Sequence, residues 1–474
     1  MSLHAQPDRT AEADPDWPIP PLERLTLLCD EGSLNLVRSE AAGVAGGRVQ
    51  PGDGVLGGHG RIGGRPVACF AQDARFAGGS VGRQHADTIV RVQRMAERGR
   101  MPIVGFVESG GARVDEGVAA LDGYARIFAG NVALSGQVPQ LTVVTGTSAG
   151  GGCYSPALTD FVVMTRRASM FLTGPRVVRE VTGEETTTEE LGGTRVHGRN
   201  GVSHFVVDSD VDAVFLVRRL IGYLPQHAGA PLPAYPPAAP DGPNPEACVP
   251  ADRRRPYDVR DLARAILDAA SLVEVAPHWA PNLVTAVARL EGRPVGVVAN
   301  QPRRLGGALD AQAAQKGARF VRTCDAFGIP LVVLVDTPGF LPGTRQEGQG
   351  VIRHGAELVR AFAEATVPSV TVVVRKAFGG GYIAMNSKEL GADLALAWPD
   401  AELGIMGAQQ AVGVGWRRKL AAVDDPVRAR DDLAARYAAQ HLGARSAARQ
   451  GCIDEVVHPS DTRARVAGTL DALG

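Results

Sequence analysis

Two glycine-rich stretches hold the residues best placed for chemistry: Thr147-Ser148-Ala149-Gly150-Gly151-Gly152-Cys153-Tyr154 and Arg375-Lys376-Ala377-Phe378-Gly379-Gly380-Gly381-Tyr382. Each follows an apolar, β-branched run, Leu141 to Thr145 in one case and Val370 to Val374 in the other. Each therefore reads as a buried strand breaking into a glycine turn. Such a turn presents backbone N–H groups with no side chain in front of them, and a following helix adds positive potential at the same point. Two N–H groups converging on one spot make an oxyanion hole, which can stabilise an enolate oxygen, and losing one such donor costs about 3 kcal/mol at the transition state. Two turns imply two holes and two enolisable carbonyl partners. The plainer alternative is that consecutive glycines only let backbones approach closely.

The first stretch also contains Gly146-Thr147-Ser148-Ala149-Gly150, a G-x-S-x-G pattern after a strand, which would make Ser148 a hydrolase nucleophile. The internal repeat argues against that. Gly64-Arg65-Pro66-Val67 returns as Gly292-Arg293-Pro294-Val295, and Glu108-Ser109-Gly110-Gly111 as Asp336-Thr337-Pro338-Gly339, both at an offset of 228. The same offset sets Ala149 against Ala377, Tyr154 against Tyr382, and Ser148 against Lys376. At this turn the halves thus share glycine backbone rather than a hydroxyl nucleophile, and the chain reads as a tandem duplication of one α/β domain.

Around the turns, a short helix is expected from Pro20, a longer one over Arg83 to Arg100, and a third over Gly117 to Leu134, with strands at Ile103 to Val107 and Leu141 to Thr145. A G-x-G-x-x-G match at Gly58, Gly60 and Gly63 precedes a strand, whereas a dinucleotide site needs a strand before it and a helix after it. A hairpin is the better reading there. Residues 1–17 are expected as a flexible tail, 18–228 as an N-terminal domain, 229–256 as a proline-rich linker and 257–474 as a C-terminal domain. The formal net charge is only −1 in 474 residues, which gives no support for nucleic-acid binding. The six cysteines form no C-x-x-C pair, so zinc and redox motifs lose their usual signal and no metal site is expected. No signal peptide or long apolar span is present, and a cytoplasmic location is expected.

From about Gly52 to Val457 the chain resembles the carboxyltransferase (beta) subunit of biotin-dependent acyl-CoA carboxylases of the propionyl-CoA and acetyl-CoA type. The resemblance rests on Phe171-Leu172-Thr173-Gly174-Pro175, Val181-Thr182-Gly183-Glu184-Glu185, Ala299-Asn300-Gln301-Pro302, Pro338-Gly339-Phe340-Leu341-Pro342-Gly343 and Ile405-Met406-Gly407-Ala408, with Asp160-Phe161 after the first glycine turn. It implies an α/β fold built as a tandem duplication of crotonase-like ββα spiral domains, assembled as a homo-hexamer whose active sites lie at dimer interfaces. It also implies that Gly150 and Gly151 stabilise the thioester enolate, and Gly380 and Gly381 the biotin ureido oxygen. These pairs are 230 apart, two more than the internal register. Gly110, Gly111, Arg113, Ala149, Tyr154 and Ile383 are then the expected acyl-CoA contacts, and Phe378, Gly379 and Tyr382 the expected biotin contacts. Two departures stand out: the family usually has Ala where this chain has Gly381, a change harmless to a backbone donor, and propionyl-CoA-type members have Asp where this chain has Ile383. No Ala-Met-Lys-Met motif and no P-loop are present, so biotin is expected on a separate carrier, carboxylated by a biotin carboxylase partner. Biotin carries the chemistry, and the lack of a His-carboxylate constellation agrees with that. A biotin-dependent decarboxylase acting on malonyl- or methylmalonyl-CoA is the alternative, and a catalytically idle scaffold is a third reading.

Overall fold

The computed structural model describes residues 19–473. The tail expected over residues 1–17 lies outside them. The chain divides into two compact units, one running to His197 with Val202–Ile221 added, the other comprising Gly198–Gly201 and everything from Gly222.

The first unit opens with the helix Pro21–Leu28, followed by β1 (Asn35–Val37) and a separate small hairpin of β2 (Ala42–Ala45) and β3 (Arg48–Pro51). Then come β4 (Val55–Ile62), β5 (Arg65–Gln72), β6 (Ile103–Ser109), β7 (Gln140–Ala149), β8 (Phe161–Thr165), β9 (Ser169–Phe171) and β10 (Phe205–Val207). The sheet order is β1-β4-β5-β6-β7-β8-β10, with β9 also paired to β7. The β1–β4 and β4–β5 pairs are antiparallel, and from β5 onward every pair is parallel. Parallel neighbours need crossovers. The helices Arg83–Gly99 and Val118–Leu134 supply them, and the first buries Ala86, Ile89, Val92 and Ala96 against the sheet.

The second unit repeats this plan with β11 (Val273–Val275), β12 (Leu283–Leu290), β13 (Arg293–Asn300), β14 (Leu331–Thr337), β15 (Ser369–Phe378), β16 (Leu394–Ala397), β17 (Glu402–Gly404) and β18 (Glu455–Val456). Its order is β11-β12-β13-β14-β15-β16-β18, with β17 on β15, and its crossovers are Ala311–Ala326 and Val351–Glu364. The two hairpins close on two-residue turns at positive φ, Gly63-Gly64 (57° and 79°) and Glu291-Gly292 (50° and 77°), as a tight hairpin with right-handed twist requires.

The G-x-G-x-x-G match falls within β4 and its turn. A β-carbon on Gly58 would lie 2.0 Å from Asn35 O, and one on Gly60 2.4 Å from Cys29 Sγ. Close packing therefore accounts for these glycines. The proline-rich stretch has no helix or strand between residues 231 and 244. It lies along the second unit: Tyr235 N–H donates to Gly292 O at 3.0 Å, Arg463 donates to Ala238 O, and the Arg289 guanidinium stacks 3.9 Å from the Tyr235 ring.

Candidate active site

In each unit the third and fourth strands from the hairpin end side by side, and each end breaks into glycine. The β6–β7 register runs straight to Val107–Val144 and resumes at Ser109–Ser148. Thr145, Gly146 and Thr147 thus bulge against the single residue Glu108. In the second unit Val374, Arg375 and Lys376 bulge against Asp336, between Val335–Val373 and Thr337–Ala377. Past the bulge, β7 gives way at Gly150 (φ 56°) to the helix Gly151–Ala157, and β15 gives way at Gly379 (φ 58°), where the helix Gly379–Ala384 begins. Left-handed φ makes glycine the fitting residue at both corners. Gly111 (φ 101°) and Gly339 (φ 119°) form the neighbouring turns, and their β-carbons would lie 3.4 Å from Ala149 O and Phe378 O respectively. Each pair of turns is therefore in contact.

This pairing corrects the internal register. The offset is 228 through Gly111 and Gly339, but the corner glycines Gly150 and Gly379 are 229 apart, and the strand pairings shift with them. The connection leading into β15 is one residue longer than the one leading into β7, and alanine- and glycine-rich sequence hid the difference. Ser148 therefore corresponds to Ala377, Ala149 to Phe378 and Tyr154 to Ile383, in place of Lys376, Ala377 and Tyr382. Gly151 corresponds to Gly380, which replaces both the 228 and the 230 alignments.

Ser148 has no solvent exposure, and its Oγ donates to Gly152 O at 2.8 Å. It is a turn-bracing hydroxyl. Of the backbone donors, Gly150 N–H is engaged by Phe171 O at 3.0 Å, Gly110 N–H by Gly78 O at 2.8 Å, and Gly111 N–H by Ser109 Oγ at 3.2 Å. That leaves Gly151, at the start of its helix, where N–H groups have no intrahelical acceptor. In the second unit Gly339 N–H is held by Thr337 Oγ1 at 3.2 Å, and Gly380 and Gly381 sit in the first turn of their helix.

Tyr124, which sequence reasoning did not single out, lies directly under the first turn. A β-carbon on Gly151 would sit 2.7 Å from its ring, and its hydroxyl bonds Ser109 Oγ at 3.0 Å. Burial pushes its phenol up to about 12. Arg113 is turned inward and almost fully buried: it pairs with Asp53 at 2.7 Å and Glu116 at 3.0 Å, and donates to Ser80 O. These bonds fasten the loop after Gly111. Tyr382 is half-buried with its hydroxyl bonded to Cys452 O at 2.9 Å, and Phe378 is buried. Tyr154 and Ile383 are about half exposed on equivalent helices.

Two duplicated sheets with strand-end glycine corners and backbone donors define the duplicated crotonase-like class. Residues 20–473 match the model of the carboxyl transferase domain. The chain is 46% identical over 426 residues to the methylmalonyl-CoA carboxyltransferase 12S subunit of Propionibacterium freudenreichii subsp. shermanii, covering 89% of this chain and 81% of that one. It is 47% identical over 430 residues to the propionyl-CoA carboxylase carboxyltransferase subunit of Haloferax mediterranei, covering 89% and 83%. Among solved structures, the hexameric transcarboxylase 12S with methylmalonyl-coenzyme A bound superposes with a TM-score of 0.92 at 44% identity, over 95% of this chain and 88% of that one. The chain belongs to the carboxyl transferase domain family and is a carboxyltransferase of the biotin-dependent enzymes. Among the described residues no helix is long and apolar enough to cross a membrane, and no group of three or more metal-ligating side chains converges.

Proposed function

We propose that this chain is the carboxyltransferase subunit of a short-chain acyl-CoA carboxylase, moving a carboxyl group from biotin on a separate carrier protein to the α-carbon of an acetyl- or propionyl-CoA-class thioester. Residues 18–228 take the acyl-CoA side, 257–474 the biotin side, and 229–256 join them. The observation that carries this reading is the repeated pair of glycine corners at matching φ, each opening on helix N–H groups.

Both partners fit the residues present. A β-carbon at Gly380 would meet nothing nearer than the Phe340 ring at 3.9 Å, so the space in front of that backbone is open, and Gly151 is partly exposed at its own corner. Gly151 N–H would donate to the thioester oxygen, with Gly150 fixing the corner and Gly110, Gly111 and Ala149 forming the adjoining wall. Gly380 and Gly381 N–H would hold the ureido oxygen of biotin, against Phe378, Gly379 and Tyr382. Carboxybiotin supplies the carboxyl group and, once discharged, the base for the α-proton. Each donor is worth about 3 kcal/mol when it meets charge only in the transition state. Tyr154, exposed on the helix after the first corner, would border the acyl chain, and Ile383 stands at the equivalent place beside the second corner. Val114, Val118 and Leu121, all more than half exposed beyond the first turn, suit a face covered by a second copy, in keeping with a homo-hexamer.

The test is to mix the protein with a biotinylated carrier, a biotin carboxylase, ATP and labelled bicarbonate, and to measure label fixed on a panel of short acyl-CoAs. Incorporation supports the carboxylase. Absence of incorporation, with CO2 released from malonyl- or methylmalonyl-CoA, supports the decarboxylase. Gly380→Pro removes one N–H in a first helical turn, where proline is tolerated, and is expected to lower transfer at least about a hundredfold while acyl-CoA binding persists.

A further inference from the structure

An acid immediately precedes the first glycine turn of each unit, Glu108 before Ser109-Gly110-Gly111 and Asp336 before Thr337-Pro338-Gly339. Each faces the three-residue bulge of the neighbouring strand. Each has its backbone N–H held by an amide from the strand on the other side, Gln72 Oε1 at 3.0 Å and Asn300 Oδ1 at 3.2 Å. Each is neutralised by a guanidinium, but the guanidinium comes from unrelated places. In the first unit the middle bulge residue is Gly146, whose β-carbon would lie 2.3 Å from Glu108 Oε1. The longer acid fills that space and meets Arg24, from the helix Pro21–Leu28, at 3.5 Å, while Arg24 also pairs with Asp210 at 2.9 Å. In the second unit the middle bulge residue is Arg375 itself, and the acid is one methylene shorter. Arg375 Nε lies 2.9 Å from Asp336 Oδ2, its Nη1 donates to Arg255 O, and its guanidinium lies over the Tyr257 ring.

Duplication makes the two units controls for each other. Side-chain length has moved from the acid to the bulge, the cation has changed its origin, and the acid–guanidinium pair has stayed at the same point. The Asp336–Arg375 pair is buried on both sides, the Glu108–Arg24 pair only at the arginine; desolvation offsets the attraction of such pairs, so fixing geometry accounts better than stability for their presence in both units. Here the geometry at stake is the bulge, a device that re-aims a strand end. A β-carbon at Gly381 would lie 2.7 Å from Gly339 Cα, so a small slip at Asp336 would carry directly into the turn.

We propose that Glu108–Arg24 and Asp336–Arg375 are positioning pairs that set the mutual placement of the two glycine turns in their own unit. This rests on the reading that the first turns serve the acyl thioester and the second the biotin. The experiment uses the full chain with its biotinylated carrier and compares Asp336→Asn, Arg375→Gln, Glu108→Gln and Arg24→Gln. Amide hydrogen exchange is followed at Gly339 and Leu341, and at Gly111 and Arg113, all hydrogen-bonded in their turns. Asp336→Asn and Arg375→Gln are expected to speed exchange at the second-unit amides by at least about tenfold, to lower kcat with the carrier, and to leave acyl-CoA affinity unchanged. Glu108→Gln and Arg24→Gln are expected to produce the mirror pattern. Asp336→Asn combined with Arg375→Gln is expected to do no more than either alone. Unchanged exchange at the turns, or exchange raised evenly through a unit, overturns the proposal. If Asp336→Asn does not fold, Asp336→Glu keeps the charge and must still disturb the second-unit amides selectively. A wild-type protein that transfers no carboxyl group would sink the functional reading, while the exchange pattern would still decide the role of the pairs.

Discussion

Gly151 and Gly380 occupy the same place in the two units, yet alanine is expected to act in opposite directions at them. At Gly151 the new β-carbon would stand 2.7 Å from the Tyr124 ring, so the ring must retreat by roughly 0.7 Å to restore ordinary contact, and overpacking of this kind costs about 1–3 kcal/mol. Retreat is opposed by the bond from the Tyr124 hydroxyl to Ser109 Oγ. At Gly380 the nearest atom is 3.9 Å away, so alanine adds no clash and gains up to about 1 kcal/mol of helix propensity. The two variants are expected to differ by about 2 kcal/mol, which for a unit of this size is a Tm separation of roughly 4–8 °C. Differential scanning calorimetry of the purified proteins measures it, and carboxyl transfer accompanies it, since both variants keep the N–H. Gly380→Ala should retain transfer within about threefold if the donor is what matters there, whereas Gly151→Ala should lose acyl-CoA-side turnover. Equal Tm values, or a larger loss at Gly380, would refute the steric assignment. Adding Tyr124→Leu to Gly151→Ala should recover part of the lost stability.

Ser148→Ala is expected to cost about 1 kcal/mol from its bond to Gly152 O and to leave kcat close to wild type; a collapse in kcat would restore the nucleophile. His85 is wholly buried between Gln72 and Asp53 O, and burial pushes its pKa down to about 3. The unfolded chain therefore binds an extra proton between about pH 3 and 6.5, so stability rises with pH across that window by up to about 5 kcal/mol. His85→Leu should flatten that slope in urea titrations at pH 4.5 and 7. Lys316 donates to Trp279 O and Leu283 O from a buried position that lowers its pKa to about 8. Its contribution rises with pH between about 8 and 10.5 by roughly 3 kcal/mol. Lys316→Met should lose that rise and expose two orphaned carbonyls as a lower Tm at pH 7.

The duplicated framework was legible because glycine and proline punctuation survives divergence: Gly64-Arg65-Pro66 and Gly292-Arg293-Pro294 mark the same hairpin, and the acid-led turns mark the same strand end. That each strand end breaks into a glycine turn was legible for the same reason, though not which glycine forms the corner. What escaped was register and side-chain direction. Nothing in Gly146 to Gly152 tells Gly150 from its neighbours as the left-handed corner, so the one-residue step between the units stayed hidden. Arg113 was an expected acyl-CoA contact, and nothing local shows that it is buried against Asp53, 60 positions away. Tyr124 sits in a helix whose apolar spacing gave no sign that its ring was the floor of the turn. Tertiary pairing of this kind has no short-range signal, although the matched acids Glu108 and Asp336 were visible.

The step from 228 to 229 between the units also limits how the halves can be recombined. A chimera that takes the strand and first turn from one half and the bulge and corner from the other crosses the step, and receives a connection one residue too long or too short. In a sheet, a slip of one residue turns every side chain to the opposite face. Exchanges bounded within Arg65 to Gly111, or within Leu141 to Tyr154, keep each block in phase with its counterpart. Grafting one half's acyl or biotin surface onto the other should therefore succeed block by block, and fail when a fixed offset is applied across the whole unit.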